Sequence, residues 1–402
     1  MKYVLIMYLV LCFLHTKSQD TIIVYDVYNK TMDTILPVVF DTTIVDDHTS
    51  TSTGNFGNKI LLSLNPPSTN LFSGSHFSDI IPVENFFSVI DYPIRTTVSI
   101  MPYEADTLLG TTCSGLLVGP DMVLTASHCV YISWAGGWQY DSLHIIPAYN
   151  NGQIQTNLSS SMASQYYIFK SIYNGNLNPD IALIKLKDPI GIEVGWQGLA
   201  FNLDTSYFTN RVFHKLSYPN GINYFDTTKV YNGDTLYYNY GYIDFLVPPG
   251  LGVYGANAIG GQGGSSLFYT DNDSAYFSYG VFSLSASYRH TIIDQEIFYQ
   301  FKNIIENHGY LVPINQITDI ENNIKIYPNP FNLSAIIQFD NPQASVYTFT
   351  MKDLTGRIVR RITDINSDAL IINRENLSSG LYFFLLESEG LRKIQGKVVI
   401  QD

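Results

Sequence analysis

Between residues 86 and 288 the chain is cut into short apolar or alternating runs, each closed by Gly, Asn, Asp or Pro. Thr97-Val98-Ser99-Ile100, Ser114-Gly115-Leu116-Leu117-Val118, Met122-Val123-Leu124-Thr125 and Ile181-Ala182-Leu183-Ile184-Lys185-Leu186 are examples. Runs of four to eight residues with turn signals between them, and no helical pattern alternating with them, predict an all-β barrel or sandwich. Thirty Tyr and 23 Phe against three Trp fit that reading, because aromatic side chains suit half-buried strands. The pattern changes once. Ile292, Ile293, Ile297, Phe298, Phe301, Ile304 and Ile305 recur at helical spacing, which predicts one terminal helix packed on the β domain.

The two ends read differently from the middle. Met1-Lys2 precedes an apolar run, Tyr3 to Leu14, and small residues at Thr16 and Ser18 follow. This is the pattern of a secretory signal peptide over residues 1–18, and the run is too short to span a bilayer as a helix. Residues 19–85 are Thr/Ser/Asn/Asp-rich and read as an irregular pro-segment or N-terminal extension. Residues 309–323 read as a polar linker, and a second β unit is expected over 324–402. From residue 322 onward there are 9 basic and 8 acidic residues, so the net charge of −13 belongs to the part before it. That balance excludes a nucleic-acid partner, which needs a basic face against phosphate. No transmembrane anchor is expected in the mature chain.

Three cysteines are present, at 12, 113 and 129. Cys12 lies within the signal. The remaining pair, in an oxidising compartment, predicts a disulfide between Cys113 and Cys129. Beside it stands His128, at the end of Val123-Leu124-Thr125-Ala126-Ser127-His128-Cys129. A histidine on a short turn pinned by a disulfide is suited to general-base work, because proton transfer needs a fixed imidazole.

These residues resemble the histidine motif of chymotrypsin-like serine proteases, with the partner cysteine one hairpin upstream. Asn178-Pro179-Asp180-Ile181-Ala182-Leu183 is similar to the family's Asp-Ile-Ala-Leu strand, and the order His128, Asp180, nucleophile matches. The resemblance implies a double β-barrel with a C-terminal helix, and His128 as base with Asp180 as its orienter. It also implies a peptide or protein substrate, no cofactor and no metal, and a monomer. The third element is Gly260-Gly261-Gln262-Gly263-Gly264-Ser265. It resembles the Gly-Gly-Gln-Ser-Gly-Ser motif of the glutamyl-endopeptidase branch, with Gly263 where the attacking serine stands. Three readings stay open: a lost nucleophile, a shifted register in which Ser265 attacks, or a flexible Gly/Ser loop. Backbone N–H groups of Gly261 and Gly263 are implied as the oxyanion donors. In the strand Tyr279-Gly280-Val281-Phe282-Ser283, Phe282 stands where that branch carries a histidine in its specificity pocket. Ser283 falls where the family places a serine supporting the buried Asp.

The last unit carries Ile326-Tyr327-Pro328-Asn329-Pro330-Phe331, Asp353-Leu354-Thr355-Gly356-Arg357, Leu377-Ser378-Ser379-Gly380-Leu381-Tyr382 and Lys397-Val398-Val399. Its turns and alternating runs predict a small β-sandwich. The four blocks resemble the C-terminal sorting domain of the type IX secretion system. That implies the secretion machinery as partner and a secreted or cell-surface location.

Overall fold

The computed structural model describes residues 19–310 and 325–401, apart from 57, 63–76, 105–106, 209–210, 223–226, 248–249, 253–258, 271–274, 284–288, 340, 342–344, 354–356 and 389–393. The expected signal, most of the expected linker, and the turn at Thr355-Gly356 lie outside the described residues. The chain divides near residue 311 into two units, both built of strands.

In the first unit, six strands close on themselves. Their order is Leu143–Pro147, Thr97–Glu104, Cys113–Leu117, Met122–Thr125, Ala182–Leu186 and Ser161–Phe169, and the last pairs back onto the first. Closure leaves these strands without free edges. Short runs such as Met122-Val123-Leu124-Thr125 are buried at every position, because each strand is covered on both faces. A second sheet orders Arg289–Ile292, Tyr276–Phe282, Ser266–Thr270, Phe213–Ser217 and Tyr237–Gly241 as neighbours.

The helix spans Gln295–His308, and Asp294 caps it by accepting from the Ile297 N–H at 2.9 Å. Capping satisfies one of the donors that a helix start leaves free. Ile297, Phe298, Phe301 and Ile304 form its buried stripe, and Phe301 meets Phe169 of the barrel.

The segment read as irregular differs from that expectation. Ile22–Asp26 adds to the barrel's sheet beside Ser161–Phe169, Thr31–Ile35 adds outside it, and Asp46–His48 pairs with Gly198–Asn202. The fully buried Arg95 explains part of this. Its guanidinium donates to the carbonyls of Thr53, Asn58, Ile90 and Val194, so two of its four acceptors come from the N-terminal segment. A buried cation needs such acceptors to offset desolvation.

The second unit is two small sheets. One runs Lys325–Tyr327, Ser334–Gln338, Ala369–Asn373; the other runs Ile358–Ile365, Tyr347–Lys352, Gly380–Glu387, Ile394–Ile400. Phe331, Ile337, Phe349, Met351, Leu386 and Val398 are among the residues of its own core.

Candidate active site

Strand Met122–Thr125 ends in a single turn, Ser127–Cys129, which carries His128. The Cys113–Cys129 disulfide forms and ties that turn to the neighbouring strand. Asp180 lies just before strand Ala182–Leu186, the barrel neighbour of Met122–Thr125. Adjacent strand ends therefore bring two residues 52 positions apart into contact. His128 Nδ1 lies 2.8 Å from Asp180 Oδ2.

Three further donors reach the same carboxylate. Ser127 Oγ donates to Oδ1 at 2.6 Å, the His128 N–H to Oδ1 at 3.0 Å, and Ser283 Oγ to Oδ2 at 2.7 Å. Burial by itself raises the Asp180 carboxyl. The His128 charge and the hydrogen bonds from His128, Ser127 and Ser283 outweigh it and hold the group well below the usual carboxylate range. Asp180 is thus a fixed acceptor that selects the Nδ1–H tautomer and leaves Nε2 facing the cleft. Ser127 reads in sequence as a mild replacement for a small residue; its role as a second donor to Asp180 has no sequence signal.

Opposite His128 lies the glycine-rich turn. It is held from the first sheet by Ser114: its N–H donates to the Gly263 carbonyl at 2.8 Å and its Oγ to the Gly261 carbonyl at 2.8 Å. Gln262 is fully buried and structural, accepting from the Ile259 N–H and donating to Ser217 Oγ. Gly264 has φ +78°, and a Cβ there would lie 2.0 Å from Thr125 Oγ1. Only glycine fits that position.

Gly263 differs. Its backbone is not in the left-handed region, so a side chain is conformationally allowed. A Cβ built on it would stand 2.4 Å from His128 Nε2. The position points at the imidazole, and the ring lies partly in the place a side chain would take. The N–H groups of Gly261 and Gly263 have no acceptor among the described residues.

Ser265 is fully buried. Its N–H donates to the Gln262 carbonyl, its carbonyl accepts from the Phe282 N–H, and its Oγ has no hydrogen-bond partner. Phe282 is buried too, and Lys215 Nζ sits 3.9 Å above its ring centroid. Lys215 is 2% exposed and pairs with no carboxylate among the described residues; burial pushes its ammonium down to about 7. The sequence gives no sign of it, since Phe213-His214-Lys215-Leu216-Ser217 reads as an ordinary strand.

Beside His128 opens a cleft of about 180 Å³ whose walls include Tyr131, Trp134, Ile172 and Leu177. His128 and the two half-cystines are also close enough to suggest metal ligands. The sulfurs are joined to each other, however, and offer no thiolate.

Residues 95–210 match the Trypsin family, and residues 325–401 match the secretion system C-terminal sorting domain. A glutamyl endopeptidase of Bacillus licheniformis is 28% identical over 231 residues, which is 54% of this chain and 68% of that protein. The chain carries a trypsin-superfamily domain similar to glutamyl endopeptidases, followed by a type IX secretion sorting domain. An extracellular metalloprotease of Bacillus subtilis is 32% identical over 112 residues, 28% of this chain and 34% of that protein. A solved Glu endopeptidase in complex with MPD covers 57% of this chain and 97% of its own, with 18% identity and a TM-score of 0.44. The trypsin-like unit is therefore a member of a serine peptidase family that is exported by the type IX route. No helix among the described residues is long and apolar enough to cross a membrane.

Proposed function

We propose that the trypsin-like unit binds peptides in its cleft and hydrolyses them negligibly, because Gly263 stands at the nucleophile position. The observation that carries this reading is the 2.4 Å between a Cβ at Gly263 and His128 Nε2. A nucleophile must reach its base by hydrogen bond, and a side chain at position 263 would start beside that nitrogen. His128, Asp180, Ser127 and Ser283 keep the base and its support, and Gly261 and Gly263 keep N–H groups free for an oxyanion. Loss of one triad member leaves only about 10³–10⁴-fold catalysis over water.

The second reading is an endopeptidase that attacks with Ser265. Its unpartnered Oγ is the observation in its favour, and its complete burial is the observation against it. A Glu preference finds no support at Phe282, which cannot hydrogen-bond a carboxylate. The protein is secreted or held at the cell surface as a monomer, reaching the secretion machinery through a signal over residues 1–18.

Hydrolysis of a denatured protein substrate by the wild type and by Gly263→Ser tests the reading. The wild type should be inert and the variant should gain weak activity. The gain is limited because the imidazole must withdraw by about 1 Å to reach ordinary contact with a Cβ. Wild-type cleavage abolished by Ser265→Ala would establish the second reading instead.

A further inference from the structure

Tyr131–Ile132 and Gly137–Trp138 form a two-stranded sheet that joins no other sheet among the described residues. Two residue pairs hold it, Tyr131 with Trp138 and Ile132 with Gly137. The Gln139 N–H donates to the Val130 carbonyl at 3.0 Å and closes its base. An isolated hairpin of that size is marginal in water. Yet Tyr131, Ile132, Ser133 and Trp134 line the cleft beside His128, and Trp134 near the tip is 71% exposed. A wall so weakly held by its own backbone takes its shape from what packs behind it.

That support comes from the N-terminal segment. Strand Ile22–Asp26 lies against Ser161–Phe169, with Tyr25 opposite Tyr166. The Tyr25 ring stacks on Trp138, with centroids 4.2 Å apart and planes 13° from parallel. Tyr166 lies near both rings, 6.1 Å from Tyr25 and 5.9 Å from Trp138. Trp138 in turn meets Tyr131 edge to face at 4.8 Å. Tyr131 carries the contact to the other wall: its ring stacks on Tyr173 at 5.4 Å, and its hydroxyl donates to the Tyr173 carbonyl at 3.2 Å. Tyr173 follows Ile172, which lines the cleft together with Leu177. A second link is electrostatic. Lys30 Nζ, in the turn after the first strand, is 2.7 Å from Asp141 Oδ1, just beyond the cleft hairpin.

We propose that the N-terminal hairpin Ile22–Ile35 is a permanent brace of the cleft, with Tyr25 as the positioning residue that sets the wall Tyr131–Trp134 for a peptide. The proposal deepens the peptide-binding reading and rests on it for the ligand. A pro-segment that blocks a cleft is released to open it. This segment instead stands behind the wall and pairs along a barrel strand, so its loss loosens the site.

Hydrogen exchange of the full chain, read by mass spectrometry, is compared for wild type, Tyr25→Phe and Tyr25→Ala. Tyr25→Ala should speed exchange over residues 130–139 about tenfold and leave the barrel strand Ala182–Leu186 unchanged. Tyr25→Phe keeps the ring and should match wild type. The same three proteins, immobilised, are then offered a random tetrapeptide mixture, of which Tyr25→Ala should retain about tenfold less. Unchanged exchange over 130–139 in Tyr25→Ala, or equal loosening in Tyr25→Phe, overturns the brace. Faster exchange with undiminished retention overturns its link to the ligand. Retention of no peptide by wild type overturns peptide binding, and the exchange result still decides the brace. Should Tyr25→Ala fold poorly, wild type in subdenaturing urea decides: residues 130–139 should lose protection no later than residues 22–35. Loss of protection at 22–35 with 130–139 still protected overturns the brace.

Discussion

The two sheets of the first unit differ in how their buried polar groups are matched near the site. On the side of Met122–Thr125, Asp180 receives hydrogen bonds from Ser127, from Ser283 and twice from His128, and its charge is matched. On the side of Phe213–Ser217, the buried polar groups are poorly matched among the described residues. Among the described residues Lys215 pairs with no carboxylate and is held only over the Phe282 ring, and neither Ser265 Oγ nor Asn239 Oδ1, directly across from Lys215, has a hydrogen-bond partner. Buried polar groups are normally satisfied, so the Asp180 carboxylate is held as a working orienter is, whereas the groups around Lys215 lack that matching.

The largest effect is expected where the wiring is complete. Asp180→Ala strands two serine hydroxyls and both the backbone N–H and Nδ1 of His128, and should cost about 3–5 kcal/mol in denaturant unfolding. The pH dependence has a definite sign. Native Asp180 remains ionised below the range in which the unfolded carboxyl takes up a proton, so the unfolded state binds more protons as pH falls. Its stabilisation is present above about pH 4 and is lost progressively below it. Asp180→Asn should flatten that part of the stability profile; an unchanged profile would mean the carboxylate is not held as described.

How legible this was depends on where a residue's chemistry comes from. His128 and Asp180 sit in runs whose neighbours are diagnostic, and the Cys113–Cys129 pair follows from compartment and count. At the Gly/Ser turn the sequence leaves three readings open, because a gap-free match puts Gly263 and a shifted one puts Ser265 at the nucleophile position. The helix shows in its apolar spacing. Lys215 is illegible: its strand has both His214 and Lys215 at 2% exposure, so alternation of polar and apolar residues no longer reports which face is buried. Thr31–Ile35 is illegible for the opposite reason, as an edge strand that is mostly exposed and has no apolar face to repeat.

Lys215 offers the next sharpest contrast. Arg95 is as deeply buried but has four carbonyl acceptors. Replacing a buried, unpaired ammonium with an apolar chain removes a desolvation cost, so Lys215→Met should stabilise by about 2–3 kcal/mol, whereas Arg95→Met should destabilise. With its folded value lowered to about 7, Lys215 gives up its proton earlier in the native state than in the unfolded state. Wild-type stability should therefore rise as pH increases above 7 towards the unfolded lysine value near 10.5. Lys215→Met should lose that rise. A destabilised Lys215→Met would show that the amine has a partner.

Ser265→Ala should have the smallest effect, a change of less than about 1 kcal/mol, because it deletes a buried hydroxyl that has no hydrogen-bond partner among the described residues. Any loss of function in that variant would move the missing chemistry from Gly263 to its neighbour.

The most direct test is covalent. The wild-type protein and Gly263→Ser are each incubated with a fluorophosphonate probe, which reacts with activated serine hydroxyls, and the adducts are mapped by mass spectrometry. An unlabelled wild type together with labelling at position 263 of the variant is the predicted result. Labelling of wild-type Ser265 would contradict the account and make the protein an active serine peptidase.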